Sequence, residues 1–316
     1  MLWAGVLALT SACVGPAQPV AQASAPHLEP VTPAPLPTLR TVPTFTPVPT
    51  LTPTITPTPT TAPTATPAPC LETTGTVSRI AIPSTALRYA VDTHVYLPPC
   101  YDTAGARYPV LYLIHGLNFT DDQWVRLGAP AAADSLLAQD AIAPMIIVMP
   151  RDRFDSDFER LVLDDVLPYV EATYRTIDHR LARAIGGLSR GGGWALHIGL
   201  RNPDLFGRVG GHSPAVLLDD DGPFVRWVRA LPEGLPLALY LDAGQADSSL
   251  GSTLFVDQVF TSAGLAHDIH IRPGAHTEAY WAKWTPDYLR FYAGDWLNLA
   301  RQIAIAPTEE PVDGKR

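Results

Sequence analysis

From Thr76 onward the apolar residues recur in two rhythms. The stretches "TVSRIAI" (76–82) and "YAVDTHVYLP" (89–98) alternate apolar with polar, the pattern of strands with one face exposed. "YPVLYLIHG" (108–116) and "PMIIVMP" (144–150) are unbroken apolar runs, as strands buried on both faces require. Further strands are expected at 181–188, 207–213, 236–244 and 267–274. Helical spacing of apolar positions marks 131–140, 157–175 with a kink at Pro168, 192–203, 252–264 and 277–300. Strands alternating with helices predict an α/β architecture, a mainly parallel sheet with helices on both faces. In such sheets the ligand site lies at the carboxyl ends of the strands.

Composition divides the chain. Residues 14–69 form a Pro/Thr tract holding about half of the chain's 33 prolines. The tract has almost no charge and no apolar period, so it cannot form a core and is expected to be a disordered linker. At full extension it would reach roughly 170 Å. Residues 70–303 remain for a single folded domain, ample for one large hydrophobic core, and 304–316 read as a flexible tail. The first thirteen residues, "MLWAGVLALTSAC", resemble a bacterial lipoprotein signal. Thr10-Ser11-Ala12-Cys13 would be its lipobox and Cys13 the lipidated first residue of the mature chain, with Thr10 where Leu is usual. The implied location is extracytoplasmic, as a cell-surface lipoprotein or a secreted protein, and the only membrane contact is the lipid anchor. Export permits a disulfide between the other two cysteines, Cys70 and Cys100. A net charge of −9 without a Lys/Arg cluster argues against a nucleic-acid partner.

The chemistry centres on "AIGGLSRGGG" (184–193). Gly187-Leu188-Ser189-Arg190-Gly191 matches G-x-S-x-G, the sharp strand-to-helix turn that exposes a serine hydroxyl. The motif arises by chance about 0.1 times in a chain of this length, and here it follows a predicted strand and precedes a predicted helix. Side chains at 187 and 191 would clash with neighbouring backbone in so tight a turn. A nucleophilic serine needs a base and the base an orienting acid, in the chain order Ser, Asp or Glu, His. His197 falls inside a helix, His267 and His270 inside a strand, and His212 precedes the acid candidates. His276, beyond a strand end, is the expected base. "LDAGQADSS" offers Asp242 and Asp247 as the acid, and spacing alone favours Asp247 only weakly. Asp242, at the strand end, is expected to brace local backbone.

Residues 75–300 resemble the esterase D family of α/β-hydrolases, which includes feruloyl esterases, S-formylglutathione hydrolases, siderophore esterases and mycolyltransferases. The resemblance rests on "VYLPPCYD", "YPVLYLIHG", "VLPYVEATYR", "GGLSRGG", "NPDLFGRVGGHSPA", "LDAGQADS" and "PGAHTEAYW". It implies an α/β-hydrolase fold and a catalytic Ser189, Asp247 and His276, the acid being the second Asp of D-x-G-x-x-D. It also implies an oxyanion hole from the backbone N–H groups of Leu117 and Arg190. Arg190 departs from the Met or Gln common after the family's serine. Trp124 and Trp281, with Trp284, flank the motif loops and are candidates for an aromatic substrate wall, although core packing explains them equally well. The loop "PRDRFDSD" (150–157) is a candidate rim. The reading is a serine carboxylic-ester hydrolase acting through an acyl-enzyme on a small-molecule or polysaccharide-linked ester, with no cofactor and no metal. Two alternatives stay open: acyl transfer to a sugar, and a non-catalytic binding protein on a hydrolase scaffold.

Overall fold

The computed structural model describes residues 71–85, 87–153, 157–217 and 220–299. The expected signal segment with Cys13, the linker 14–69, Cys70 and the tail 304–316 lie outside the described residues.

Among the described residues, eight strands form one sheet: β1 (Thr76–Ile82), β2 (Val91–Leu97), β3 (Val110–Ile114), β4 (Ile146–Pro150), β5 (Arg183–Leu188), β6 (Arg208–His212), β7 (Ala238–Ala246) and β8 (Asp268–Ala275). Their spatial order is β1-β2-β4-β3-β5-β6-β7-β8. The hairpin β1–β2 joins the sheet antiparallel, and every pairing from β4 through β8 is parallel. This is the mainly parallel α/β sheet that the alternation of strands and helices predicts, in the α/β-hydrolase arrangement that the family resemblance implies.

Side chains alternate across each central strand and build a core on both faces. From β3, Val110, Tyr112 and Ile114 enter one core, together with Leu196 and Ile198 of α6 (Arg190–Arg201), Phe224 of α7 (Asp221–Arg229) and Phe260 of α8 (Leu250–Ser262). Leu111 and Leu113 point the other way. They join Ala133 and Leu136 of α3 (Ala129–Ala138) and the aromatic face of α9 (Glu278–Ala293), with Tyr280, Trp281 and Tyr288. Each large apolar side chain so buried stabilises the fold by roughly 1.5–3 kcal/mol.

The described residues also hold the short helices α1 (Tyr101–Ala104), α2 (Gln123–Arg126), α4 (Phe158–Arg160) and α5 (Leu167–Thr173). The helix expected over 157–175 is interrupted. Between α4 and α5, residues Leu161–Val166 form a π-helical turn, immediately before Pro168 at the start of α5. Proline has no N–H and its ring crowds the preceding turn, so the wider π turn takes up the mismatch. Helix α7 has no counterpart in the sequence reading, because its polar start "DGP" hides the apolar face made by Phe224 and Val228. Helix α9 ends at Ala293, before Gly294 with φ 34°, and the chain is helical again over 296–299, so the stretch expected over 277–300 is helical with one break.

Candidate active site

The carboxyl end of β5 runs into Ser189, which takes φ 54° and ψ −122°. A side chain at positive φ is strained, and such strain persists only where the surroundings hold it. Here the hold is visible. Ser189 N–H donates to the His212 carbonyl at 2.8 Å, and the Ser189 carbonyl accepts from Gly193 N–H at 3.1 Å and Ala215 N–H at 3.0 Å. The flanking glycines are needed for space. A Cβ on Gly187 would sit 2.2 Å from the Gly191 carbonyl oxygen, and one on Gly191 would sit 2.3 Å from that of Ile114.

Three side chains from three separate segments converge at this turn. His276 Nε2 lies 2.8 Å from Ser189 Oγ, and His276 Nδ1 lies 2.7 Å from Asp247 Oδ1. Asp247, just past β7, also accepts from Ser249 N–H at 2.7 Å and, on its other oxygen, from the Ser213 hydroxyl at 2.7 Å. An ionised carboxylate can only accept, so the imidazole donates from Nδ1 and Nε2 accepts the serine proton. The Asp247 side chain is sealed from solvent and the His276 side chain is a quarter exposed. The site therefore has one open side. Ala215, Val216, Gly222, Ser248, Ser249, Ser252 and Phe255 line a separate cleft of about 640 Å³, and no side chain of Ser189, Asp247 or His276 is in its lining.

The loop after β3 faces the same turn. His115 Nδ1 donates to the Gly116 carbonyl at 2.7 Å, and His115 Nε2 accepts from Asp152 N–H at 2.9 Å. Burial lowers the His115 pKa, consistent with this neutral tautomer. Gly116 N–H donates to Gln123 Oε1 at 2.8 Å. The next N–H, that of Leu117, has no hydrogen-bond partner among the described residues. Arg190 opens α6, so its N–H belongs to the first turn, whose donors point out of the helix end. Its guanidinium Nε donates to Asp152 Oδ2 at 2.7 Å, and Trp194 Nε1 donates to the same oxygen at 3.0 Å. From the candidate rim 150–157, Asp152 is thus drawn inward, and 154–156 lie outside the described residues.

The structure corrects two expectations. Trp124 is 1% exposed and its indole N–H donates to the Ile114 carbonyl at 3.0 Å. Trp281 is 3% exposed and its indole N–H donates to Ser213 Oγ at 3.1 Å. Both rings are spent in the core, so neither forms a solvent-facing substrate wall. Trp284 carries Arg272 over its ring at 4.0 Å and Lys283 at 4.8 Å. Asp242 is the second correction. Its buried carboxylate accepts from side chains and not from local backbone: His212 Nδ1 at 2.9 Å, Tyr280 OH at 2.7 Å and Tyr288 OH at 2.8 Å. Sequence reasoning missed Ser213. Its only local sign was the strand end "GGHS", and its contacts come from Asp247 and Trp281, far along the chain.

Among the described residues no three His, Cys, Asp or Glu side chains cluster as a metal site would need. None of the helices there is long and apolar enough to cross a membrane.

Comparison with known proteins agrees with this fold. The model of the family described as "Putative esterase" matches residues 84–291. An endo-1,4-beta-xylanase/feruloyl esterase of Xylanibacter ruminicola is 31% identical over 153 residues, 43% of this chain. An esterase of Mycobacterium tuberculosis is 32% identical over 162 residues, 46% of this chain. The matched segments are 21% and 34% of those relatives' own lengths, so the chain spans only a part of each. Among solved structures, a ferulic acid esterase superposes with a TM-score of 0.65 at 28% identity, covering 70% of this chain and 98% of that one. An S-formylglutathione hydrolase of Staphylococcus aureus, at 17% identity and a TM-score of 0.59, covers 70% of this chain and 98% of that one and shares the fold.

Proposed function

The chain belongs to the putative esterase family, and from that membership we propose that it hydrolyses carboxylic esters through a covalent acyl-enzyme on Ser189. The Ser189 hydroxyl attacks the ester carbonyl while His276 Nε2 takes its proton. Negative charge develops on the carbonyl oxygen, and the N–H groups of Leu117 and Arg190 receive it. His276 then gives the proton to the departing alcohol, and the acyl group stays on Ser189. Water attacks next, with His276 again as base, and the acid leaves. Asp247 holds the imidazole in the tautomer that keeps Nε2 ready for the serine proton.

The observation that carries this reading is the unbroken chain Ser189 Oγ, His276, Asp247 at 2.8 and 2.7 Å, ending on a serine held at positive φ. The likeness to ferulic acid esterases makes feruloyl esters the first substrates to assay, with acetyl-sugar and p-nitrophenyl esters beside them. Ser189→Ala is expected to remove at least ~10³ of kcat on every ester that the wild type cleaves. Near wild-type turnover in that variant would end the reading.

The lipobox supports an extracytoplasmic esterase tethered by lipid at Cys13, with residues 14–69 as its stalk. A fatty-acid analogue should label the wild type and not Cys13→Ala. A Cys70–Cys100 disulfide fits the same compartment. Cys100 N–H donates to Glu72 Oε2 at 2.7 Å, which brings the chain two residues after Cys70 against Cys100. Peptide mass spectrometry without reduction is expected to find the linked pair.

A further inference from the structure

Ser213 is a residue to which the ester-cleaving chemistry above gives no part. It follows the end of β6, is fully buried, and takes φ 48°. A serine at positive φ in the interior is strained backbone, maintained by its surroundings. Two bonds hold it. Its N–H donates to the Asp242 carbonyl at 2.7 Å, tying it to β7. Its hydroxyl lies 2.7 Å from Asp247 Oδ2 and 3.1 Å from Trp281 Nε1.

Donor logic fixes the direction of this chain. An indole N–H can only donate, so Ser213 Oγ accepts from Trp281. The carboxylate of Asp247 can only accept, so the single Ser213 proton points at Oδ2. Trp281 also sets its ring edge-on against His276, with centroids 4.8 Å apart and planes at 84°. One tryptophan therefore presses on the imidazole and, through Ser213, orients the carboxylate that holds that imidazole.

We propose that Ser213 and Trp281 are positioning residues for the Ser189–His276–Asp247 triad, acting through a directed hydrogen-bond chain from the Trp281 indole N–H through the Ser213 hydroxyl to Asp247 Oδ2. The proposal rests on the triad reading. Asp247 Oδ1 takes the imidazole and the Ser249 N–H, and Oδ2 takes the Ser213 hydroxyl, so rotation of the carboxyl group would break bonds on both oxygens. With Oδ2 released, Asp247 could turn, and His276 would lose the orientation that places Nε2 on Ser189. A group that acts in this way changes turnover and leaves substrate binding alone.

The test uses Ser213→Ala, Trp281→Phe and the double variant in the full chain. Alanine at 213 keeps the backbone strain and removes only the hydroxyl. Phenylalanine at 281 keeps an aromatic ring and removes the N–H. Four readouts are taken: kcat and KM on one ester, melting temperature, the low-field proton resonance of His276 Nδ1–H, and labelling of Ser189 by a fluorophosphonate. Ser213→Ala should lose between about tenfold and a hundredfold in kcat with KM within about twofold, the range that hydrogen bonds to a charged group span. Its His276 resonance should shift or broaden. It leaves the Trp281 N–H buried without a partner, so its melting temperature should fall, and the double variant should recover part of that loss without recovering kcat. Trp281→Phe should move the resonance in the same direction with a smaller loss of kcat. Wild-type kcat and an unmoved resonance in Ser213→Ala would overturn the proposal. So would a double variant that regains kcat along with its melting temperature, because the effect would then be stability alone. Should Ser213→Ala not fold, an unmoved resonance in Trp281→Phe overturns it just as well. Absence of fluorophosphonate on Ser189 in the wild type would instead refute the triad reading itself.

Discussion

The molecule contains two chains of the same chemical make-up. In one, Asp247 holds His276, and His276 meets the hydroxyl of Ser189. In the other, Asp242 holds His212 at 2.9 Å, and His212 Nε2 meets the hydroxyl of Tyr292 at 2.8 Å. In each, the carboxylate takes the Nδ1 proton and a hydroxyl donates to Nε2. Their settings differ. His212 and Asp242 have no exposed side-chain surface, whereas the His276 side chain is a quarter exposed. His212 stacks on Tyr288 at 3.6 Å, and Tyr280 and Tyr288 both donate to the other oxygen of Asp242, Oδ2. Burial lowers the His212 pKa and raises those of Tyr280, Tyr288 and Tyr292, so the imidazole is held neutral and the three phenols protonated. A hydroxyl that no substrate can reach braces the core. The same arrangement with its imidazole partly exposed can do chemistry.

The two aspartates provide the sharpest way to break this comparison, and the largest expected effect. Asp247→Asn should fold and lose on the order of 10⁴ in kcat, because the imidazole would then settle in the wrong tautomer. Asp242→Asn should keep most of its turnover. Its cost should appear as stability, about 3 kcal/mol, since three buried donors lose an ionic acceptor. For a domain of this size that is a drop of roughly 6–12 °C in melting temperature. Measuring kcat and melting temperature for both variants decides the matter, and the reverse pattern would make Asp242 the acid of the site.

Much of this is legible in the sequence itself. The unbroken apolar runs at 108–116 and 144–150 are buried strands, and the glycine-flanked Ser189 is the strand-to-helix turn that its motif predicts. Local pattern carries such features, because strand period and turn geometry are set within a few residues. The role of Asp242 was not readable. Its partners His212, Tyr280 and Tyr288 stand 30, 38 and 46 residues away and meet it only when α9 packs on the sheet. The pattern leaves Trp124 and Trp281 open between a substrate wall and the core for a related reason. Nearness to a motif loop in sequence does not say which face of a helix turns inward, and both rings turn into the core. Helix α7 was hidden because its first turn, "DGP", is polar and leaves only a short apolar pattern behind it.

A milder intervention sharpens the comparison at the far end of the inner chain. The Tyr292 hydroxyl fits against Gly186 and Gly210, where a Cβ would come within 1.7 and 2.2 Å of it. Tyr292→Phe removes only that hydroxyl and leaves His212 Nε2 without its donor. The expected cost is about 1–2 kcal/mol in denaturant unfolding, with kcat within twofold of wild type. A tenfold loss of kcat would mean that the inner chain takes part in the chemistry, and the division drawn between the two chains would fail.

A third Asp–His pair lies between these extremes, and it titrates. His197, on α6, sets Nδ1 2.8 Å from Asp220 Oδ2 and Nε2 3.4 Å from Glu159 Oε2. Burial opposes charge on this ring, but the two carboxylates outweigh it and push its pKa up to about 9. His212 has one carboxylate and tyrosine hydroxyls around it, and burial wins. His197 has a carboxylate on each nitrogen, and charge wins. The pKa is raised on folding, so the folded state binds the proton more tightly than the unfolded chain, where an imidazole titrates near 6.5. The stabilisation is therefore complete below about pH 6.5 and is lost as pH rises through about 9. Allowing for a side chain that is 14% exposed, the loss should be on the order of 2 kcal/mol. Unfolding free energy measured from pH 6 to pH 10 should fall in the wild type over that window. In His197→Gln, where nothing at this position titrates, that part of the slope should be absent. A variant that keeps the full alkaline slope would show that His197 is neutral in the fold, like His212, and that a second carboxylate does not suffice to charge a half-buried imidazole here.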